Sequence, residues 1–389
     1  MRIALVSAPA GQTVHVAELA HALARGGHDV RLYIRRDRPD PPDPAPAAVD
    51  VVRVPAGPPQ ALSQDALLPH MGAFGQWLAD TWLAGTWVPD VVHAHFWTSG
   101  LAALTARRRS DVPVVLTYHG LGVVERRHQG EPDTSPAGRI GYERILGQRA
   151  DRVVAQSQDE VRELVEAGVP RRRIVVVPSG VDHRHFAPDG PFVPRDADRP
   201  RVLTVGRFVA RKGFREIVRA MRRVPDAELV IVGGPPSGGL RADPFARHLR
   251  ELADTCGIGG RLRLVGAVPR ADLPSWYRSG DVLVAAPWHE PVGPVPLEAM
   301  ACGVPVIGAA VGGLVDTIVD GVCGDLVPPR DPRALGAAIR DLLDDPVRRL
   351  SYSAGAVDRA RSVYSWESTA DRLSAVYAAV QPRTTRVVA

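Results

Sequence analysis

"DVLVAAPWHEPVGPVPLEAMACGVPVIG", residues 281–308, holds a strand, a loop, a helix and the start of a second strand. "DVLVAAPW" is short and continuously apolar, as a strand buried on both faces must be. "HEPVGP" is stiffened by proline and reads as a loop, while "VPLEAMACG" reads as a short helix beginning near Val295 and ended by Gly303. "VPVIGAA" then resumes the apolar run. A strand that returns through a helix to another apolar strand belongs to a parallel sheet covered on both faces. On this placement Glu290 lies in the loop and Glu298 in the first turn of the helix, with Gly293 between them.

The same rhythm extends outward. "RIALVS", "DVRLYI", "VDVVRV", "DVVHAH", "PVVLTYH", "DRVVAQS" and "RIVVVPSG" alternate with helix-period segments such as "VHVAELAHALARGG". "HRHFAPDGPFVPRDADRPR" interrupts them with proline, aspartate and charge. "VLTVGR", "ELVIVGG", "RLRLVGA", "DVLVAA" and "VPVIGAA" make a second set. Two doubly wound, Rossmann-like domains are therefore expected, 1–183 and 201–363, joined by a linker at 184–200. The tail helix, 364–381 with "WESTADRLSAVYAAV", is expected to cross back to the first domain.

Composition narrows the function classes. The chain has 389 residues, 45% of them hydrophobic, enough for two cores. Cys256, Cys302 and Cys323 are odd in number and lack CxxC spacing, which argues against a disulfide framework and fits a reducing compartment. Met1 leads straight into "RIALVS" without an apolar leader, so a cytoplasmic protein is expected. Residues 291–315 carry little charge, but their prolines, glycines and Glu298 mark a buried element and not a membrane span. The net charge of +5 comes from dispersed arginines, and Lys212 is the sole lysine among 48 basic residues. Dispersed bases do not make a nucleic-acid face. Trp77, Trp82 and Trp87 recur along one expected helix and read as core or cleft wall before membrane anchor.

In sheets of this kind ligands sit at the carboxyl ends of strands. Four ends stand out. "VSAPAGQTVH" puts Ala10 and Gly11 before a helix starting near Thr13, where an anion site or a plain tight turn both fit. "VVLTYHG" ends in His119, suited to a sugar hydroxyl or to a core hydrogen bond. "VLTVGRFVARKG" places Arg207 and Lys212 at a strand-to-helix turn, two cations for a diphosphate. The fourth is the opening stretch. A carboxylate accepts bidentate hydrogen bonds from a diol, and helix amides near Gly293 would face a diphosphate. Carboxylate, amides, carboxylate matches the order of groups in a nucleotide sugar.

The segment from Asp281 to Pro329 closely resembles the donor-site signature of retaining glycosyltransferases of family 4, which have the GT-B fold, two Rossmann-like domains facing a cleft. "VGRFVARKG" resembles the family's phosphate-binding segment; "DVVHAHFWTSG", "TYHG" and "VVPSGVD" resemble its acceptor-domain segments. The likeness spans nearly the whole chain and points toward the sucrose-phosphate-synthase-like and mycothiol-type enzymes of actinobacteria. It implies that Arg207 and Lys212 neutralise the diphosphate, Glu290 holds the donor sugar, Glu298 binds the ribose and His119 bonds the sugar's 6-hydroxyl side. Gly11, Gly293, Pro294 and Val295 complete the donor side. The acceptor-side candidates are His95, His119, Arg126 and Arg139. Front-face transfer is implied, in which the leaving phosphate helps deprotonate the acceptor.

Two positions depart from the pattern. Ala10-Gly11 replaces Gly-Gly in a shortened loop, so the acceptor is not carried over from the relatives. Pro294 replaces a residue with a free amide, which removes one donor to the sugar or diphosphate. No cofactor or metal is expected: Asp196-Ala197-Asp198 reads as a solvated turn, and a zinc cluster of His93, His95 and His119 is the weaker reading. The expected partners are a nucleotide sugar, leaning to UDP-glucose or UDP-N-acetylglucosamine, and a small hydroxylated acceptor such as a sugar, cyclitol or natural product. Neither nucleic acid nor stable membrane insertion is expected, and the protein would be a monomer or homodimer. The rivals are a membrane-surface transferase with a lipid-linked acceptor and a nucleotide-sugar epimerase of the same fold.

Overall fold

The computed structural model describes residues 1–8, 13–39, 49–63, 65–129, 135–196, 198–291 and 293–381. Ala10 and Gly11 lie outside them, as does Ala197. The chain divides into two units, Met1–Gly180 with Trp366–Ala389, and Val181–Ser365.

The first unit is built on a seven-stranded parallel sheet. Its strands are β1 (Arg2–Ser7), β2 (Asp29–Arg35), β3 (Asp50–Val54), β4 (Val91–His95), β5 (Val114–Thr117), β6 (Arg152–Ala155) and β7 (Ile174–Val176), in the order β3-β2-β1-β4-β5-β6-β7. The order reverses between β1 and β4, so a crevice opens beyond their carboxyl ends. Every residue of β4 and β5 is buried, as strands covered by helices on both faces require. Trp82 and Trp87 belong to this core, their indole N–H groups donating to Tyr33 Oη at 3.1 Å and Asp29 Oδ2 at 2.7 Å.

The helix Trp366–Val380 packs against the helix Thr13–Arg25 of this unit. Trp366, Leu373 and Tyr377 enter the core, and Thr369 Oγ1 donates to Pro178 O at 3.1 Å. His28, in the turn after the helix Thr13–Arg25, has its Nε2 2.9 Å from Ser374 Oγ, a further tie to the last helix.

The second unit has β8 (Arg201–Val205), β9 (Glu228–Pro236), β10 (Leu262–Ala267), β11 (Val282–Ala285), β12 (Val306–Ala309) and β13 (Gly324–Val327), in the order β10-β9-β8-β11-β12-β13. All pairings are parallel. β13 was not legible in the apolar rhythm, because "GDLV" opens on a glycine and a charge. Three helices begin at Asp-Pro pairs, Asp243-Pro244, Asp331-Pro332 and Asp345-Pro346. In each the aspartate accepts from amides of the first turn, and proline fills the position whose missing N–H is harmless.

Residues 184–200 belong to the second unit and are not a free linker. Arg195 pairs with Asp281, and Arg278 donates from Nε to Pro191 O at 2.8 Å and from Nη1 to Ala187 O at 3.0 Å. Three arginine-centred ties outweigh the turn-forming composition of the stretch.

Candidate active site

In the second unit, opposite charges meet at the carboxyl ends of β8 and β11. After β8 the chain passes Arg207, which is exposed, and makes a single 3₁₀ turn, Ala210–Lys212. Gly213 follows at φ +72°; a Cβ there would lie 1.8 Å from Ala286 O. Only glycine lets the Lys212 turn lie this close to the end of β11. Trp288 N–H then donates to Arg211 O at 2.8 Å, fastening the two loops together. The result is a direct ion pair between Lys212 Nζ and Glu290 Oε2, both mostly buried. Glu290 is held from behind as well, its carbonyl accepting from Gly313 N–H at 2.8 Å. Gly312 has φ +52°, and a Cβ there would meet Glu290 O at 2.3 Å. Beside them the Arg330 guanidinium covers the Trp288 ring at 4.4 Å.

The helix after this loop runs Pro294–Ala301, with Gly293 as its N-cap at φ +65°. Proline's fixed φ starts the helix at Pro294, so Glu298 is not in the first turn but beyond it, on the buried side. Gly303 closes the helix as read from sequence, with Val304 N–H donating to Ala299 O at 2.9 Å. Glu298 accepts from Arg270 Nη1 at 2.6 Å through Oε1 and from Tyr277 Oη at 2.7 Å through Oε2. Burial pushes its carboxyl up from the usual range, against the opposing pull of Arg270 and Tyr277. Each oxygen keeps one lone pair beyond these bonds.

Both glutamates of the opening stretch are thus already partnered. Arg270 and Tyr277 had no signal in the sequence, since only folding brings them to Glu298. Val295 is half-buried, and Pro294 stands exposed at the helix start, offering no N–H.

In the first unit, the carboxyl ends of β1, β4 and β5 gather histidines. Phe96 and His119, just past β4 and β5, adopt φ +74° and +61°. Left-handed backbone at non-glycine residues costs of order 1 kcal/mol or more, and such strain clusters at functional sites. His95 Nδ1 and His119 Nε2 share a hydrogen bond at 2.9 Å. His15, from the first helix, sets its ring against His119 at 4.7 Å between centroids, and its Nδ1 bonds Ser179 Oγ at 3.0 Å.

His93 belongs to the core instead. Its Nδ1 bonds Tyr377 Oη at 2.7 Å and its Nε2 bonds Thr117 Oγ1 at 2.8 Å. The histidine group that could surround a cation is therefore His15, His95 and His119, and not the His93, His95, His119 set considered from sequence. Burial lowers all four imidazoles, His15 to about 4 and His93 to about 3, so they are neutral at pH 7.

Arg126 and Arg139 fall on the elements following His119. Arg139 is buried and committed: Nε donates to Glu143 at 2.7 Å, Nη1 to Glu125 at 2.7 Å and to Ser135 at 2.9 Å, and Nη2 to Gly120 O at 3.2 Å. Glu143 in turn accepts from Gly122 N–H at 2.9 Å. As placed, Arg139 shapes the loop after His119 and offers no open charge to an acceptor. Asp196 caps its own turn, Oδ1 accepting from Asp198 N–H at 3.1 Å.

Residues 10–180 match the Glycosyl transferase 4-like domain, and residues 191–359 match Glycosyl transferases group 1. The chain belongs to the family 4 glycosyltransferases. It is 36% identical over 96% of its length to D-inositol 3-phosphate glycosyltransferase of Xylanimonas cellulosilytica, covering 92% of that protein. The protein of the same name from Kineococcus radiotolerans is 37% identical, over 96% of this chain and 91% of that one. Among solved structures, sucrose-phosphate synthase from Thermosynechococcus elongatus superposes with a TM-score of 0.83 at 29% identity, over 97% of this chain and 98% of that one. The fold is GT-B, and the protein is a glycosyltransferase, an enzyme with actinobacterial relatives. No helix among the described residues is long and apolar enough to cross a membrane.

Proposed function

We propose that this glycosyltransferase moves a hexose from a uridine diphosphate sugar to a hydroxyl of a small cyclitol or sugar acceptor, with retention at the anomeric carbon. The acceptor class is supported by two relatives, each named D-inositol 3-phosphate glycosyltransferase, matched over nearly full length. The observation that carries the donor reading is the Lys212–Glu290 ion pair at the mouth of β8 and β11. A donor diphosphate is a stronger partner for Lys212 than a lone carboxylate, so on binding Lys212 turns to phosphate and Glu290 is released to the sugar hydroxyls. Lys212 and Arg207 then face the two charges of the diphosphate, and the sugar hydroxyls take the place of the ammonium as hydrogen-bond donors to the Glu290 carboxylate. Glu298, held by Arg270 and Tyr277, offers its remaining lone pairs to the ribose diol.

Transfer then needs little from the protein beyond electrostatics. As the glycosidic C–O bond breaks, negative charge grows on the departing diphosphate and positive charge on the sugar ring. Lys212 and Arg207 stabilise the first, aided by the amides at the start of the helix Pro294–Ala301. The phosphate oxygen that leaves takes the proton of the attacking acceptor hydroxyl on the same face. His119 bonds the sugar's 6-hydroxyl and orients the ring. Two cations at the diphosphate take the place of a divalent metal, so the reaction proceeds without one.

Calorimetric titration with UDP, GDP, ADP and dTDP in EDTA tests this. UDP should bind most tightly, and Lys212→Ala should weaken it by at least tenfold. Equal binding of all four, or UDP affinity untouched by Lys212→Ala, overturns the donor assignment.

A further inference from the structure

We infer that His15, His95 and His119 form a site for one divalent transition-metal ion of the zinc type, and that loading it inhibits transfer by taking His119 from the donor sugar. The inhibitory half rests on the donor reading above; the metal site does not. One ring nitrogen from each of the three histidines lies within 4.8 Å of the others. Tetrahedral zinc with nitrogens at 2.0–2.1 Å spaces them about 3.4 Å apart. His95 Nδ1 and His119 Nε2, at 2.9 Å, need to part slightly, and the third nitrogen needs to move in by at most about 1.4 Å, the difference between 4.8 Å and the tetrahedral spacing; His15 is only half-buried.

The surroundings favour a metal over a purely internal hydrogen-bond cluster. His95 Nε2 is buried without a partner, so hydrogen bonds alone do not satisfy the cluster, and either nitrogen of His95 can be given to a metal once the bond from Nδ1 to His119 opens. Ser179 Oγ bonds His15 Nδ1 and leaves Nε2 as the nitrogen of His15 that a metal can take, the outer-shell arrangement that orients metal-binding histidines. His93 cannot join, both its nitrogens being spent on Tyr377 and Thr117. Three imidazoles without a carboxylate suit zinc, cobalt, nickel or copper, and are poor ligands for magnesium or calcium. Three protein ligands leave the fourth position to water. The site is thus distinct in chemistry from a magnesium ion serving a diphosphate.

Cobalt(II) titration of the full chain reads the site by its tetrahedral visible absorption, with turnover measured on the same samples. We expect one Co²⁺ per chain, its bands displaced by Zn²⁺ and lost in His15→Gln and in His119→Gln, and retained in His248→Gln, which lies in the other unit. Circular dichroism confirms that each variant is folded. Turnover should fall as the bands rise and recover with EDTA. Absence of the bands in the wild type, or their survival in both His15→Gln and His119→Gln, overturns the metal site. Full bands with undiminished turnover overturn only the inhibitory half, and with it the assignment of His119 to the donor.

Discussion

Removing Lys212 should cost stability and activity by different amounts, and both follow from its pairing with Glu290. The Glu290 side chain is 12% exposed and that of Lys212 19%. Lys212→Met leaves a largely buried carboxylate without its cation. A hydrogen bond to a charged group is worth about 1.5–3 kcal/mol; breaking a fully buried pair costs about 3–5 kcal/mol, and residual solvent access lowers this. About 2 kcal/mol is expected for the single variant. For a unit of this size that is a fall of about 4–8 °C in the melting midpoint. Glu290→Gln should cost less, since the amide still accepts from Lys212. The double variant Lys212→Met/Glu290→Gln has no unpaired charge and should recover at least about 1 kcal/mol relative to additivity.

Turnover follows another rule. On the proposed mechanism Lys212 acts on charge that develops only as the donor bond breaks, so its loss should lower kcat by about 10²–10³-fold. No stability recovery should restore it. The assay is differential scanning fluorimetry of the four proteins in EDTA, read beside UDP release under saturating donor. Strictly additive midpoints would refute the pairing, and a double variant as active as wild type would refute the electrostatic role.

Glu160 carries a pH-dependent cost. Its carboxylate is buried, with Oε2 accepting from Gln156 N–H at 2.7 Å and Oε1 unpartnered. Burial raises it from 4.5 to about 7. The penalty is absent below the ordinary carboxylate value, grows as pH rises and is complete above about 7. Glu160→Gln should therefore raise the melting midpoint at pH 8 and leave it nearly unchanged at pH 4.5; equal effects at both would contradict this. The histidines work in the opposite sense. With His15 held at about 4 and His93 at about 3, the first unit should keep full stability above pH 6.5 and lose it steadily as pH falls toward those values. His15→Gln should flatten that decline in a pH series of thermal scans. At the helix start, Pro294→Ile restores a backbone N–H at the proposed diphosphate site and should tighten UDP-sugar binding several-fold by calorimetry; unchanged affinity would show that the missing amide does not matter.

The sequence made the architecture readable because a doubly covered parallel sheet writes each strand as a solid apolar run. All seven strands of the first sheet and five of the second follow such runs, and only β13, four residues opening on glycine and aspartate, escaped. The end of the helix after the opening loop was equally plain, because Gly303 sets it. The candidate site was legible as residue types at strand ends, with Lys212 and Glu290 each following a strand, though nothing along the chain shows that they pair across 78 positions. Arg270 and Tyr277 could not be foreseen, since their tie to Glu298 depends on how a separate helix packs. His15 looked like any polar residue of an amphipathic helix until β4 and β5 brought two more imidazoles beside it. Arg139 shows the same limit: a lone arginine in sequence shows its charge and not the two carboxylates that pair with it.

Retention of configuration by a metal-independent donor site is the central claim, and proton NMR of the reaction in EDTA tests it most directly. UDP-glucose and UDP-N-acetylglucosamine would each be incubated with the enzyme and an inositol phosphate, and the anomeric signal of the first-formed product followed. An α-linked product appearing together with UDP is the predicted result. A β-linked product, or release of UDP only when a divalent metal is restored, would contradict it.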